Sequence, residues 1–342
     1  MGTELRLTEK ALIATIRARA RGRDSSALRL GIGDDCAIVR SAADEEIVVT
    51  TDFSLEGVHF RREWHSPESV GHKCLARGLS DVAAMGARPV AAFLSMALPK
   101  ELVEARRGKA WAERFLDGLL ALADRYGVPL AGGDTAQSLG PACFDIVVLG
   151  AVKRGEAWLR SGARAGDAIY VTGALGGAAA ELLALERESR RFAGLKKATE
   201  AHPHFFPEPR LAVAAKLAKA RLVGAAIDIS DGLSTDLGHI CEESGLSAEL
   251  DAAAIPVHEL ALDADRSGLV RSALDLALHG GDDYEVLFTA RQRAKIPRRV
   301  AGVAVTRIGQ MVARRSGCPQ MAIRDEDERL TALEACGWEH FR

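Results

Sequence analysis

The feature that most constrains this chain is a pairing of glycine, serine or threonine with aspartate that recurs along most of its length. It opens at Gly31-Ile32-Gly33-Asp34-Asp35-Cys36. It returns at Thr50-Thr51-Asp52, Ser80-Asp81, Gly132-Gly133-Asp134, Asp228-Ile229-Ser230-Asp231-Gly232 and Gly280-Gly281-Asp282-Asp283. Glycine lets the backbone turn where a side chain would clash. Neighbouring carboxylates in such turns repel unless water or a cation neutralises them. An aspartate at a helix start is usually a cap, and one in a turn usually a turn residue. Taken singly, each of these acids is explained by local structure. Their repetition points instead to scattered acids that meet around metal ions and phosphates.

The elements on which the acids fall agree with that reading. The β-branched run 47–51 is a strand that delivers Asp52. Ser66-Pro67-Glu68 starts a helix over 66–85 that carries Asp81 and stops at Gly86. A short strand over 128–131 ends in Gly132-Gly133-Asp134. Another over 223–229 leads to Ser230-Asp231, which cap a helix over 232–243. Ligands of α/β sheets collect at strand ends. Magnesium takes one or two protein carboxylates and completes its octahedron with water and phosphate oxygen. A nucleoside triphosphate site therefore draws on acids from separate elements, and Asp34, Asp35, Asp52, Asp81, Asp134, Asp228 and Asp231 supply them. Residue chemistry alone reaches a magnesium-dependent, phosphate-handling enzyme and no particular substrate.

The rest of the pattern alternates strands and helices. A helix is expected over 8–21, its arginines forming a solvated face. Strands follow at 89–98, 144–152, 168–172, 284–289, 303–308 and 321–324, and helices at 101–126, 207–220, 258–263 and 269–277. Gly173-Ala174-Leu175-Gly176-Gly177 opens a further helix to 188, but lacks both the dinucleotide fingerprint and the Gly-Lys-Ser/Thr of a P-loop. A charged connection spans 186–206. At 342 residues the chain suits two domains, given roughly 150 residues apiece. The polar break Lys153-Arg154-Gly155-Glu156 divides it into 1–152 and 153–342. With 45 basic against 47 acidic residues there is no broad electrostatic footprint for nucleic acid or an anionic membrane. Six scattered cysteines without a Cys-x-x-Cys pair argue against a zinc knuckle or disulfide scaffold and suit a reducing cytoplasm. Neither a signal-peptide core nor an apolar run of about 18 residues is present.

At these residues the sequence resembles the thiamine-monophosphate kinase family, within the superfamily of aminoimidazole ribonucleotide synthetase and selenophosphate synthetase. Seven motifs carry the resemblance in order. They are Gly31 to Ala37, Thr50-Thr51-Asp52 with His59-Phe60, Leu79 to Ala87, Gly132 to Thr135, Leu159 to Ala163, Ile227 to Leu233, and Gly280 to Glu285. The resemblance implies ATP-dependent phosphorylation of thiamine monophosphate to thiamine diphosphate. It also implies a two-domain α/β subunit of mixed sheets with packed helices. The N-terminal domain would bind metal and ATP, its sheets pairing across a homodimer into a barrel-like structure. Matched motif by motif, it makes Asp35, Thr50, Thr51, Asp52, Asp81, Asp134, Asp228 and Asp231 the magnesium ligands. It makes Gly133, Asp134, Arg160 and Ser230 nucleotide contacts, and His59, Asp282 and Trp338 substrate contacts. No general base is implied, because the acceptor phosphate is already ionised. Asp282 stands where the family usually has Glu, one methylene longer. The alternatives are another ATP-using enzyme of the superfamily, or a nucleotide-binding scaffold that kept the fold.

Overall fold

The computed structural model describes residues 5–6, 9–20, 27–30, 38–105, 109–188, 195 and 201–339. Two units form, each from more than one segment of chain. The first comprises the described residues within Met1–Val82, Arg88–Arg154 and Leu185–Ala201; the second, those within Ala83–Ala87, Gly155–Ala184 and His202–Arg342.

The first unit runs β1 (Leu5–Arg6), α1 (Glu9–Ala20), β2 (Leu28–Leu30), β3 (Ile38–Val39), β4 (Glu45–Leu55), α2 (Pro67–Ala84), β5 (Arg88–Leu98), β6 (Glu104–Ala105), α3 (Trp111–Tyr126), β7 (Leu130–Gln137) and β8 (Cys143–Lys153). Its main sheet has the order β4-β8-β5-β7, while β1 pairs with β6 and β2 with β3. Strands β4 and β5 flank β8 antiparallel, and β7 runs parallel to β5. Alternation along the strands sends Phe144, Ile146 and Val148 of β8 and Leu94 and Met96 of β5 to one face, where all are buried. Phe115 of α3 stacks on Phe144 at 4.2 Å between ring centroids, and Trp111 lies 6.0 Å from the same ring. Helices α2 and α3 press together through glycine. A Cβ on Gly71 would come 1.9 Å from the Phe115 carbonyl oxygen, and one on Gly118 1.8 Å from that of Glu68. On the opposite face of the sheet, Ile47, Val49 and Phe53 of β4 are exposed.

The second unit runs β9 (Ala168–Thr172), α4 (Gly177–Arg187), α5 (Leu211–Ala220), β10 (Ala226–Asp228), α6 (Leu233–Ser244), β11 (Leu246–Asp251), α7 (Glu259–Arg266), α8 (Ala273–His279), β12 (Val286–Ala290), β13 (Arg299–Val300), β14 (Val303–Ala313), β15 (Met321–Arg324) and β16 (Leu330–Ala332). The sheet order is β10-β12-β9-β14-β11-β15-β16, with β13 also on β14. Only the β11–β15 pairing in it is parallel. Ile169 and Val171 of β9, Leu287 of β12 and Met311 of β14 join Leu237 and Ile240 of α6 in its core. Both units are mixed α/β, as the sequence implies.

Four expectations need correction, and one strand was missed. The helix over 101–126 starts only at Trp111. A 3-10 turn at Lys100–Leu102 and β6 precede it, and the Glu113 carboxylate accepts the Ala110 N–H at 2.9 Å, capping α3 there. The strand expected to stop at 131 continues through the glycine pair to Gln137. The helix expected from 207 begins at Leu211, since Pro207 and Pro209 each disfavour helical backbone in the residue before it. Strand β11 was not foreseen: its buried residues Ser247, Ala248 and Leu250 are too small and polar a set to announce a strand. The arginines of α1 are not all solvated, because Arg19 donates to the Glu113 carbonyl at 2.6 Å and pairs with Asp117.

Candidate active site

In the first unit, two-residue alternation along β4 turns Thr50 and Asp52 toward α2, on the same side as buried Ser54. Arg77 and Asp81, one helical turn apart on α2, meet them. Thr50 Oγ1 donates to Asp81 Oδ2. Arg77 Nη2 lies 2.5 Å from Asp52 Oδ1, and its Nη1 donates to the Phe53 carbonyl at 2.6 Å. Thr51 falls on the other face with exposed Phe53. His59 Nδ1 accepts the Leu55 N–H at 3.0 Å, which in the neutral ring leaves the proton on Nε2.

Gly133 and Asp134 lie on β7, at the opposite edge of the sheet from β4. Three strand spacings of ~4.8 Å separate those edges by about 14 Å. Gly133 has φ +146°, and a Cβ there would come 1.8 Å from the Leu94 carbonyl oxygen, so β5 and β7 close up only around glycine. Asp134 is exposed and its Oδ1 accepts the Thr135 N–H at 2.8 Å. The unit thus brings Thr50, Asp52 and Asp81 together, with Thr51 and Asp134 apart from them. Asp35 and its neighbour Asp34 lie outside the described residues.

In the second unit, Asp228 ends β10 and is buried. The expected Ser230-Asp231 cap on α6 is not what forms. Gly232 holds the cap position without a side-chain bond, at φ 113°. Asp236, one turn inside the helix, reaches back instead, and its Oδ2 accepts the N–H groups of Ser230, Asp231 and Gly232, each at 3.1 Å. Burial, then the charges of Asp228 and Asp231, push the Asp236 carboxyl up to about 8. Asp282 sits at φ +66°, accepts the Tyr284 hydroxyl at 2.7 Å and lies 3.7 Å from His204 Nδ1. Beneath it, Asp283 accepts the Gly176 N–H at 2.9 Å, and burial holds its carboxyl well above the usual carboxylate range. Glu285 accepts from Thr172 Oγ1 at 2.5 Å and from Arg210 Nε at 2.6 Å. Arg160 is exposed in a 3-10 turn whose Arg160 carbonyl accepts the Ser244 hydroxyl at 2.7 Å. Trp338 is 55% exposed, its N–H on the Asp231 carbonyl at 3.0 Å.

Arg77, Asp236 and Asp283 escaped the sequence reading as site residues. Only the spacing of Arg77 four residues before Asp81 hinted at its place. Among the described residues no three His, Cys, Asp or Glu side chains form a group that could hold a metal ion unaided. Magnesium does not require one. The donors present are hard oxygens: Thr50, Asp52 and Asp81 in one unit, Asp228 and Asp231 in the other. In the first unit the Arg77 guanidinium neutralises Asp52. In the second, the charges of Asp228 and Asp231 raise the Asp236 carboxyl, and acids crowded in this way fit a cation.

The fold is mixed α/β in both units with hard-oxygen donors on its strand and helix ends, and the comparisons identify the family. Residues 33–152 match the family model for the AIR synthase related protein, N-terminal domain, and residues 164–318 that for its C-terminal domain. The chain belongs to that family. Within it, a thiamine-monophosphate kinase of Rhodopirellula baltica is 38% identical over 316 residues, 90% of each chain. The crystal structure of thiamine-monophosphate kinase from Stenotrophomonas maltophilia K279a is similar at TM-score 0.73 and 37% identity, covering 94% of this chain and 98% of that one. AaThiL complexed with AMPPCP and TMP is similar at TM-score 0.73 and 28% identity, covering 98% and 97%. The chain is a member of the thiamine-monophosphate kinase family.

Proposed function

We infer that this chain phosphorylates thiamine monophosphate to thiamine diphosphate at the expense of ATP. Similarity at 38% identity across nine-tenths of a thiamine-monophosphate kinase carries that reading. The site's chemistry agrees with it, since the acceptor phosphate is ionised at neutral pH and needs no strong base. Catalysis then reduces to positioning and to neutralising charge on the transferred group. Magnesium, when bound, would supply that neutralisation.

Asp35, Thr50, Thr51, Asp52, Asp81, Asp134, Asp228 and Asp231 would hold the metal ions. Thr50 already donates a hydrogen bond to Asp81, and Arg77 orients Asp52. Gly133, Asp134, Arg160 and Ser230 would contact the nucleotide. Gly133 is exposed on β7, and Arg160 offers a forked donor on an exposed turn. His59, Asp282 and Trp338 would hold thiamine monophosphate, the indole lying against the cationic thiazolium ring. The chain would act in the cytoplasm as a homodimer, a pairing supported by the exposed apolar side chains on one face of β4.

Purified protein is expected to turn thiamine monophosphate and Mg-ATP into thiamine diphosphate and ADP, followed by chromatography of both products. Turnover of formylglycinamidine ribonucleotide with none of thiamine monophosphate would overturn the substrate while leaving the superfamily.

A further inference from the structure

The turn 230–232 is tied to both sets of functional residues proposed for the second unit. Its three N–H groups converge on one oxygen, Asp236 Oδ2, each at 3.1 Å. The Gly232 carbonyl bonds into α6, while the other two reach away from it. Ser230 O accepts the Asp282 N–H at 2.8 Å, and Asp231 O accepts the Trp338 N–H at 3.0 Å. Around that second bond the chain is too close for a side chain, since a Cβ on Gly337 would fall 2.0 Å from Asp231 O. The preceding Ile229 exchanges backbone bonds with Tyr284 and Glu285, both at 2.8 Å. Asp228 and Asp231 flank the same few residues.

An ordinary helix cap does not look like this. There a side chain before the helix takes one N–H two or three residues further on, or one inside it reaches back to a single N–H, as Glu113 does for Ala110 in α3. Here the acceptor lies inside α6, is 2% exposed, and bends three residues ahead of the helix around itself.

We propose that Asp236 is a positioning residue for the phosphoryl transfer, curling the turn 230–232 so that Asp228 and Asp231 present their carboxylates while Asp282 and Trp338 stay in register with them. The proposal rests on the kinase reading above. Asp236 acts through the turn and touches neither nucleotide nor thiamine monophosphate. Its loss therefore disturbs the metal requirement and substrate affinity together, a coupling that a plain stabilising cap would not produce.

The test compares Asp236→Ala and Asp236→Asn with the wild type. Asp236→Ala leaves three N–H groups without their acceptor. Both the Mg2+ concentration for half-maximal rate and the KM for thiamine monophosphate are expected to rise at least ~10-fold, in the range seen when partners of metal ligands are removed. Asp236→Asn retains an acceptor oxygen and should raise both by a smaller factor. Calorimetric titration with the non-hydrolysable analogue AMPPCP reads the same effect without turnover, as weakened Mg2+-dependent binding. A folded Asp236→Ala protein with wild-type KM, Mg2+ requirement and AMPPCP affinity, altered only in Tm, would overturn the proposal. Should that variant not fold, Asp236→Ser, too short to gather the three N–H groups, decides in its place, and wild-type values in it are the overturning result. If the wild type does not phosphorylate thiamine monophosphate, the substrate reading fails. AMPPCP titration of the variants still decides the role of Asp236.

Discussion

Asp52 and Asp283 show how differently two aspartates of one motif class are used. Asp52 faces a guanidinium at 2.5 Å, so its charge is compensated even before a metal arrives. Asp52→Asn keeps the size and the hydrogen-bonding capacity but removes the charge. We expect it to abolish turnover and weaken the Mg2+ dependence while the thermal unfolding profile survives; near-normal turnover would remove Asp52 from the ligand set. Asp283 is half-buried, and desolvation holds its carboxyl well above its ordinary 3.8. A raised folded-state value means that the native protein binds a proton the unfolded chain has released. That group's contribution to stability therefore falls as pH rises from near 4 toward the folded value. Asp283→Asn mimics the protonated form at every pH. Its Tm should gain on that of the wild type between pH 5 and pH 8, and a gap that is constant or moves the other way contradicts the assignment. Neither environment is legible from Thr50-Thr51-Asp52 or Gly280-Gly281-Asp282-Asp283, where each acid simply follows small residues.

Between elements, the decisive contact in the first unit is the glycine-mediated approach of α2 to α3. Arg114 makes a two-pronged ion pair with Glu68 beside it, at 2.9 and 2.8 Å. Because the atom opposite Gly118 is a backbone carbonyl, it cannot swing aside as a side-chain tip could. Gly118→Ala should cost about 3 kcal/mol, lowering Tm by roughly 6–12 °C for a unit of this size. A shift within error in a melting experiment would contradict that packing. Much at this scale was legible beforehand. Ser66-Pro67-Glu68 marked the start of α2 to within a residue, and the apolar run 168–172 is β9 itself. The misreadings share a cause. The pattern over 101–126 is helical by composition, yet the Glu113 side chain bonds the Ala110 N–H and caps the helix ten residues late. Gly132-Gly133 reads as a turn by propensity, yet pairing with β5 draws both residues into a strand.

For the whole molecule, the open question is what covers the exposed face of β4. Ile47 is 39%, Val49 59% and Phe53 54% exposed, so three large apolar groups on one strand face water in the isolated chain. If that face pairs with a second copy, sedimentation should give a dimer. Val49→Lys combined with Phe53→Lys should then convert it to a monomer without unfolding either unit. A wild type that sediments as a monomer would remove the dimer from the proposal. No helix among the described residues is long and apolar enough to cross a membrane.

The sequence by itself determined the alternation of strands and helices, the family, and the supply of hard-oxygen donors beside glycine turns. Those follow from sterics and chemistry between near neighbours, which a linear pattern records. Only the tertiary structure decided what each acid does. It set Thr50 and Asp52, two residues apart, against Arg77 and Asp81 on a helix. It also sent Asp236, which no motif marks, to gather the N–H groups of a turn that Asp231 was expected to cap. A carboxylate's role depends on which donor or charge lies within about 3 Å of it, and long-range folding chooses that neighbour.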